Sequence, residues 1–470
     1  MSPEAPAELV ASLPIPSDLK VCQPGEDTVV ITGTVAGEVA KSYFQNPFYV
    51  HPDSKRVEVS YQWSDVNPKA STGTDPNDTT VMDLAVWDQR GYKDAAGFRG
   101  WSGDRQGRID RSQAPVFIEK GTAERGYTAG PIEAGTWYAE IGVAIASNNG
   151  AEYEIRLDCF DTDSVDLVVA DPVDPNFVAN ANSGWYHGDF HMHGYNSNPS
   201  GADAFEMATV ARDVGLDVLF YTDYVVVAHW DQIGSAQRAN PDLLFYPGRE
   251  IITYSGHANT LGETRGFVEY RHGFEGENMG DMQARAIAAG ALFQVNHPKQ
   301  FAIDGLENLC RGCQWNYEAE TDWSQVHTME LLTGPAIVSS DQVGAPSSPG
   351  SIENPFMQMA IDYWTEKLQQ GFKITAVSGS DSKGTESGAD INYKGYGTSA
   401  TAILADSLSQ ADVRAAILRG RTFVKTLGTD ESPHIELEAF TSEQSVTYGG
   451  EMVLPANDTA TLRLTVTDAQ

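Results

Sequence analysis

The chain is poor in cysteine: four in 470 residues, too few for the disulfide scaffold that replaces a core in small secreted domains. It has no run of about 18 consecutive apolar residues, which excludes a membrane-spanning helix. Basic residues are scarce, with 31 Lys and Arg against 65 Asp and Glu and a formal charge of −34. A field of that sign repels phosphate backbones and anionic lipid heads. A small-molecule substrate is therefore the expected partner, and nucleic acid and membrane surfaces are not. The opening MSPEAPAELVASLPIPSDLK lacks the basic start and apolar core of a secretory signal. The expectation is either an exported protein (periplasmic or extracellular) whose leader has been removed, which the acidic composition favours, or a cytoplasmic one. There is no internal repeat and no low-complexity tract.

What is present describes a globular chain. Hydrophobic residues make up 41% and aromatic residues 10%, and the length suits two to four domains at roughly 100–200 residues each. Cys22 and Cys159 bracket the N-terminal region, and Cys310 and Cys313 form one CxxC. A single CxxC with no second pair nearby is weak evidence for structural zinc, which needs four ligands. Two disulfides, Cys22–Cys159 and Cys310–Cys313, are favoured over four reduced thiols.

Residues 1–175 read as an all-β, sandwich-like domain. Runs such as Arg56-Val-Glu-Val-Ser-Tyr-Gln-Trp63 alternate with period two, and turn residues such as Gly130-Pro131 and Gly135 separate them. Asp171-Pro-Val-Asp-Pro-Asn176 reads as a linker. Over 183–428 apolar strands alternate with helices. DVLFYTDY (217–224), DLLFYPGREI (242–251), ALFQVNHP (291–298), FKITAVSGSD (372–381) and SATAILA (399–405) are strand-like. The spacing of Met357, Ile361, Trp364 and Leu368 predicts a helix within 352–370, and LSQADVRAAILRG predicts another closing on Gly420. Such alternation implies parallel strands, most economically a barrel. Residues 430–470 return to β as a short segment, possibly truncated.

The most informative stretch is Trp185-Tyr-His187-Gly-Asp189-Phe-His191-Met-His193. Alternate side chains on a strand share a face, so His191 and His193 can converge on one cation. Alone, HxH is common and is more often a pair of solvated or core histidines. Here later strand-like runs also end in ligand-type residues: Glu250, His257, His297 and Asp381. At the C-terminal mouth of a parallel barrel such residues meet, although about 190 positions separate the first from the last.

In that order HGDFHMH, YTDY, PGREIITYSGHANTLG, VNHP and SGSDS resemble the PHP (polymerase and histidinol phosphatase) superfamily of metal-dependent hydrolases. GFRGWSG (97–103), RGYTAGPIEAGTWYAEIG (125–142) and CRGCQWNY are similar to its CehA/McbA, carbaryl-hydrolase-like branch. The resemblance implies an α/β fold: a distorted (β/α)7 barrel behind the N-terminal β-domain. It also implies two divalent metal ions, Zn, Mn or Fe. His191, His193, Glu250 and Asp381 match one site; Glu250, His257 and His297 match the second, with Glu250 bridging. The chain departs from the family at a third site. Thr222-Asp223-Tyr224 and Asp381-Ser-Lys383 each lack the usual histidine, and Pro199 stands near where another belongs. Two metals rather than three follow. Lys383 then supplies the cation in place of the third ion, or, carboxylated, bridges the other two; Tyr224 donates a hydrogen bond to substrate.

His229 is a further candidate donor at the mouth, with a surface or core role as the alternative. Asp223 and Asn259 are candidates for orienting ligands, and His187 for structural work. Trp101 and Trp137 read as core aromatics, with a carbohydrate platform as the alternative. The implied reaction is cleavage of an ester or carbamate by a metal-bound hydroxide. A phosphoesterase on the same centre, and a non-catalytic extracellular binding protein with a degenerate site, are the alternatives.

Overall fold

The computed structural model describes residues 18–467, apart from 38, 40, 66–79, 94–95, 104–113, 165–169, 199–200, 263–265, 305, 307–309, 311, 341–349 and 385–394. The N-terminal strands are β1 (Val21–Cys22), β2 (Val29–Val35), β3 (Ser42–Val50), β4 (Arg56–Asp65), β5 (Val81–Trp87), β6 (Phe98–Ser102), β7 (Val116–Glu119), β8 (Gly135–Ile145) and β9 (Ala151–Phe160). They form two sheets, ordered β1-β3-β8-β5-β6 and β2-β9-β4-β7. The alternation in β4 has the expected effect: Val57, Val59, Tyr61 and Trp63 are buried while the residues between them are partly exposed. Met82, Leu84 and Val86 of β5 and Trp137, Ala139 and Ile141 of β8 come from the other sheet, and both sets fill one core. A disulfide joins Cys22 to Cys159, one cysteine from each sheet.

The predicted linker is not loose. Asp171 O accepts a hydrogen bond from Gly234 N at 2.7 Å, and its carboxylate pairs with Arg238 at 2.5 Å.

The second part contains β10 (Val178–Asn180), β11 (Gly184–Met192), β12 (Val218–Tyr221), β13 (Leu244–Ile252), β14 (His257–Leu261), β15 (Leu292–Val295), β16 (Thr328–Thr333), β17 (Ile337–Ser339), β18 (Ser351–Glu353), β19 (Thr375–Gly379), β20 (Ala400–Ala405), β21 (Leu408–Ser409) and β22 (Thr422–Lys425). Nine of these make one sheet in the order β19-β16-β15-β14-β13-β12-β11-β20-β22. Its longer helices are α1 (Ala204–Asp213), α2 (Trp230–Ala239), α3 (Met279–Ala288), α4 (Pro355–Gln369) and α5 (Gln410–Leu418), with a short α6 (Gly428–Glu431) after β22. Caps set their starts: Asp203 closes a capping box on α1, Asn354 precedes Pro355 at α4, and Ser409 caps α5.

This sheet differs from a sevenfold parallel alternation. It has nine strands, and β13–β14, β14–β15, β11–β20 and β20–β22 are antiparallel. The cause is local for β13 and β14: the segment 253–256 that joins them is too short for a crossover, so the chain doubles back as a hairpin. The sheet nearly closes on itself. Beyond their last paired residues, Asp381 N donates to His191 O at 2.8 Å and His193 N to Ser382 O at 2.9 Å, stitching the end of β11 to the turn after β19. Last comes a three-stranded sheet, β24-β23-β25, from β23 (His434–Phe440), β24 (Ser445–Thr447) and β25 (Thr461–Thr467). Among the described residues no helix is long and apolar enough to cross a membrane.

Candidate metal centre

The centre begins with a carboxylate held by backbone amides. Asp189, on β11, is fully buried and accepts from the backbone amides of His191 (3.1 Å), Ser380 (2.8 Å) and Gly397 (3.0 Å). Burial pushes its pKa up, and those amides oppose the shift. Asp189 therefore pins the end of β11 to the turn carrying Asp381, although the two are remote in sequence.

Four ligand-type side chains converge there. His191 Nε2 lies 3.3 Å from Glu250 Oε1 and 3.6 Å from Asp381 Oδ1. His193 Nε2 lies 3.2 Å from Glu250 Oε2 and 3.2 Å from Asp381 Oδ1. The two ring nitrogens are themselves 3.1 Å apart. On the other side of Glu250, Oε1 is 3.3 Å from His257 Nδ1 and 3.5 Å from His297 Nε2. One carboxylate thus faces four imidazoles: from β11, from the residue after it, from β14 and from the turn after β15. His297 and Asp381 hold left-handed backbone, at φ 27° and 49°. That conformation is costly for residues with a Cβ and typical of functional sites.

The far ring nitrogens are spoken for. His191 Nδ1 is 3.1 Å from Glu330 Oε2, His193 Nδ1 3.0 Å from Ser197 Oγ, and His297 Nδ1 3.2 Å from Cys313 O. Such partners fix which nitrogen points inward. The set fits divalent ions for a simple reason. Two inward nitrogens in contact, each also facing carboxylates, cannot all be satisfied by shared protons, whereas a cation satisfies every one. Without one the charges lean on each other. Burial opposes protonation of His191, yet the Glu250, Glu330 and Asp381 carboxylates raise its pKa well above the ordinary value. Against its own burial, Glu250 is held well below the usual carboxylate range by His191 and the other histidines.

Tyr224 and Lys383 border this cluster. Lys383 Nζ pairs with Asp381 Oδ1 at 2.5 Å and lies 5.5 Å from the Tyr224 ring centre; that ring is 4.4 Å from His193 and 5.8 Å from Trp101. Burial raises the Tyr224 phenol despite Lys383 beside it, so it stays neutral. Burial opposes charge on Lys383, but Asp381, Tyr224 and Glu250 hold it protonated.

The structure does not bring His229 to the mouth. It is fully buried at the start of α2, donates from Nε2 to Gly248 O at 3.0 Å, and stands 3.9 Å from Asp223 Oδ2. Burial lowers its pKa to about 4, against the pull of Asp223. Asp223 instead accepts from Ser197 Oγ at 2.6 Å, and so supports His193 through that serine. Asn259 acts one step removed: its Oδ1 accepts from Asn296 Nδ2 at 2.9 Å, which also reaches Glu250 Oε1 at 3.1 Å. His187, partly exposed, faces Asp217 at 3.6 Å and not the cluster. Trp137 lies in the N-terminal core, whereas Trp101 sits in the seam against Tyr224. Pro199 lies outside the described residues.

Glu330 and Ser197 are contributions that the sequence reading did not name. Glu330 lies in the apolar run TMELLT of β16, is fully buried, and accepts from His297 N at 3.1 Å besides facing His191. Its signal was a lone carboxylate inside an otherwise apolar strand.

Fold and site together define a protein with a preformed, buried imidazole–carboxylate centre at strand ends. Two solved structures show similarity. One is a two-domain protein from Bacteroides vulgatus containing a predicted PHP-like metal-dependent phosphoesterase, at 15% identity over 64% of this chain and 91% of that one, with a TM-score of 0.37. Another is a candidate metal-dependent phosphoesterase from Bifidobacterium adolescentis, at 13% identity over 49% and 95% of the two chains, with a TM-score of 0.28. Neither overlay is close enough to transfer a role to a residue of this chain. No protein-family model and no curated protein matches the chain.

Proposed function

We propose that this protein is a divalent-metal-dependent hydrolase of the PHP superfamily that cleaves an ester or carbamate bond of a small molecule. One observation carries the reading: the Glu250 carboxylate faces His191, His193, His257 and His297 at 3.2–3.5 Å, with Asp381 completing one side. His191, His193, Glu250 and Asp381 would hold one ion and Glu250, His257 and His297 a second; Zn, Mn and Fe all suit such donors. Bound there, the ions would supply Lewis acidity toward a carbonyl or phosphoryl oxygen and acidify water.

The chain's own residues do the rest. Glu330, Ser197 and the Cys313 carbonyl orient three imidazoles. Tyr224, neutral and beside His193, is placed to donate its phenolic proton in a hydrogen bond to a leaving oxygen. Lys383 holds an ammonium at the rim. That cation favours a second reading, a phosphoesterase, because it suits a phosphoryl oxygen. Its pairing with Asp381 argues for the first: a phosphate dianion would add charge to a site whose cation is already engaged. The overall charge of −34 and the two disulfides support a small, weakly charged substrate and an exported location.

The test is chelated protein reloaded with Zn, Mn or Fe and assayed on p-nitrophenyl acetate, butyrate, phosphate and the bis-phosphodiester. Metal-dependent turnover of the carboxylic esters is expected. Turnover of the phosphoesters alone supports the second reading, and a fully loaded protein inert to all four is not a hydrolase of this kind.

A further inference from the structure

The CxxC pair lies against the candidate metal centre. Cys313 is buried, and its sulfur lies within 4.8 Å of one ring nitrogen of His257 and one of His297. Its carbonyl is also the one that fixes His297. The segment is built into the site. Gly312, at φ +92°, packs so closely on the neighbouring turn that a Cβ would meet Thr253 O at 2.4 Å. Trp315 N donates to Pro298 O (3.1 Å) and Asn316 N to Ser255 O (2.9 Å), so the chain after Cys313 is tied to the turns that carry His297 and His257. The protein joins Cys313 to Cys310, which is only partly buried.

We propose that the Cys310–Cys313 disulfide is a redox-controlled cover on a metal ligand: in the dithiol form Cys313 binds, as a thiolate, the cation held by His257 and His297. The proposal rests on the metal-centre reading above and extends it by a thiol-dependent ligand. The chemistry balances with a dithiol reductant. One reductant thiolate bonds to the more accessible Cys310 sulfur, the Cys310–Cys313 bond breaks, and its electron pair leaves on Cys313. The reductant's second thiol then displaces Cys310 as a thiolate, closing the reductant's own disulfide; two electrons pass to the protein. The Cys313 thiolate binds the cation directly, and Cys310 takes up a proton. A soft sulfur donor among imidazoles selects thiophilic ions such as Zn(II) or Co(II) over Mn(II), so oxidation state would tune metal identity as well as affinity.

Cobalt(II) reports this independently of activity, because a cobalt–thiolate bond gives a near-ultraviolet charge-transfer band that nitrogen and oxygen ligands do not. Chelated protein is divided into an oxidised portion and one reduced with a dithiol that is then removed anaerobically, and both are titrated with Co(II). The band is expected only in the reduced portion, saturating at one equivalent per chain. Cys310→Ser should show it without reduction, and Cys313→Ser in neither state. Competition with Zn(II) should show tightening on reduction of roughly tenfold or more, the least that supporting groups around metal ligands contribute. Cobalt that binds without the band in both reduced protein and Cys310→Ser overturns the proposal and leaves the metal centre standing. A band of equal strength in Cys313→Ser overturns it too. Failure to bind cobalt in any form overturns both readings.

Discussion

Glu250 is the residue on which the centre turns, because four imidazoles face one carboxylate. Glu250→Gln keeps the shape and removes the charge. It is expected to leave almost no metal in elemental analysis and to abolish nearly all turnover, more severely than His191→Ala or His297→Ala; full metal content would end the bridging assignment. Glu330 faces the outward nitrogen of His191 and the backbone of His297, and is read as acting through them. Glu330→Gln should therefore weaken metal binding by about 10–100-fold, measured by chelator competition, while saturating metal restores much of the turnover. The residues that meet around Glu250 were readable because histidines and acids at the ends of apolar runs are conspicuous. Glu330 was not, since one acid inside an apolar strand reads as an exception until the fold turns it inward. His229 misled for the same reason in reverse: spacing does not tell that the start of α2 folds onto β13.

At the scale of elements, β11 and β19 must approach closely for the centre to form, and Gly379 permits it. A Cβ there would stand 2.5 Å from His191 Cβ and 2.7 Å from His191 N. Gly379→Ala is expected to cost about 1–3 kcal/mol in denaturant unfolding and to lower metal content, since the strain falls on the candidate ligand His191; wild-type values for both would contradict that packing. β11 also carries a pH-dependent element. Burial first, then Lys425, lowers the His187 pKa to about 4, below the roughly 6.5 of an unfolded histidine. Protonation therefore favours the unfolded chain. Stability held above about pH 6.5 should be lost as pH falls toward 4, by up to roughly 2–3 kcal/mol from this residue. His187→Gln should flatten that acid limb relative to wild type in melts between pH 7 and 4, and parallel curves would refute the assignment. Of the helices, α4 and α5 were readable from their polar starts and apolar spacing, although α4 buries Phe356, Ala360, Tyr363 and Lys367, one position off the Met357–Ile361–Trp364–Leu368 stripe that spacing picked out. The polar HANTL of β14 was not readable, because its burial comes from neighbouring strands rather than from its own composition.

For the whole molecule, the change of pattern near residue 183 marked two kinds of architecture, but not that they meet at the site. Trp101 packs on Tyr224, and Arg125 Nη1 donates to Asn196 O at 3.0 Å, so the N-terminal sheets form a wall beside the metal centre. Those contacts join residues far apart in sequence, which no local pattern encodes. The wall depends on its staple. Cys22–Cys159 spans 137 positions and links the two N-terminal sheets, and closing so long a loop is worth roughly 4–5 kcal/mol in the loop-entropy model. A Cys22→Ser/Cys159→Ser double variant should melt about 10 °C lower or more, at the few degrees per kcal/mol usual for a unit of this size. An unchanged melting temperature would mean that the disulfide stabilises nothing that limits unfolding. The same variant separates support from chemistry. Every candidate ligand lies in the nine-stranded sheet or its turns, so metal content below the transition should equal that of wild type. KM for an ester substrate should rise more than kcat falls, because what loosens is the Trp101 wall and not the ligands. A loss of metal in parallel with the lowered melting temperature would instead place the N-terminal sheets within the structure that holds the ions.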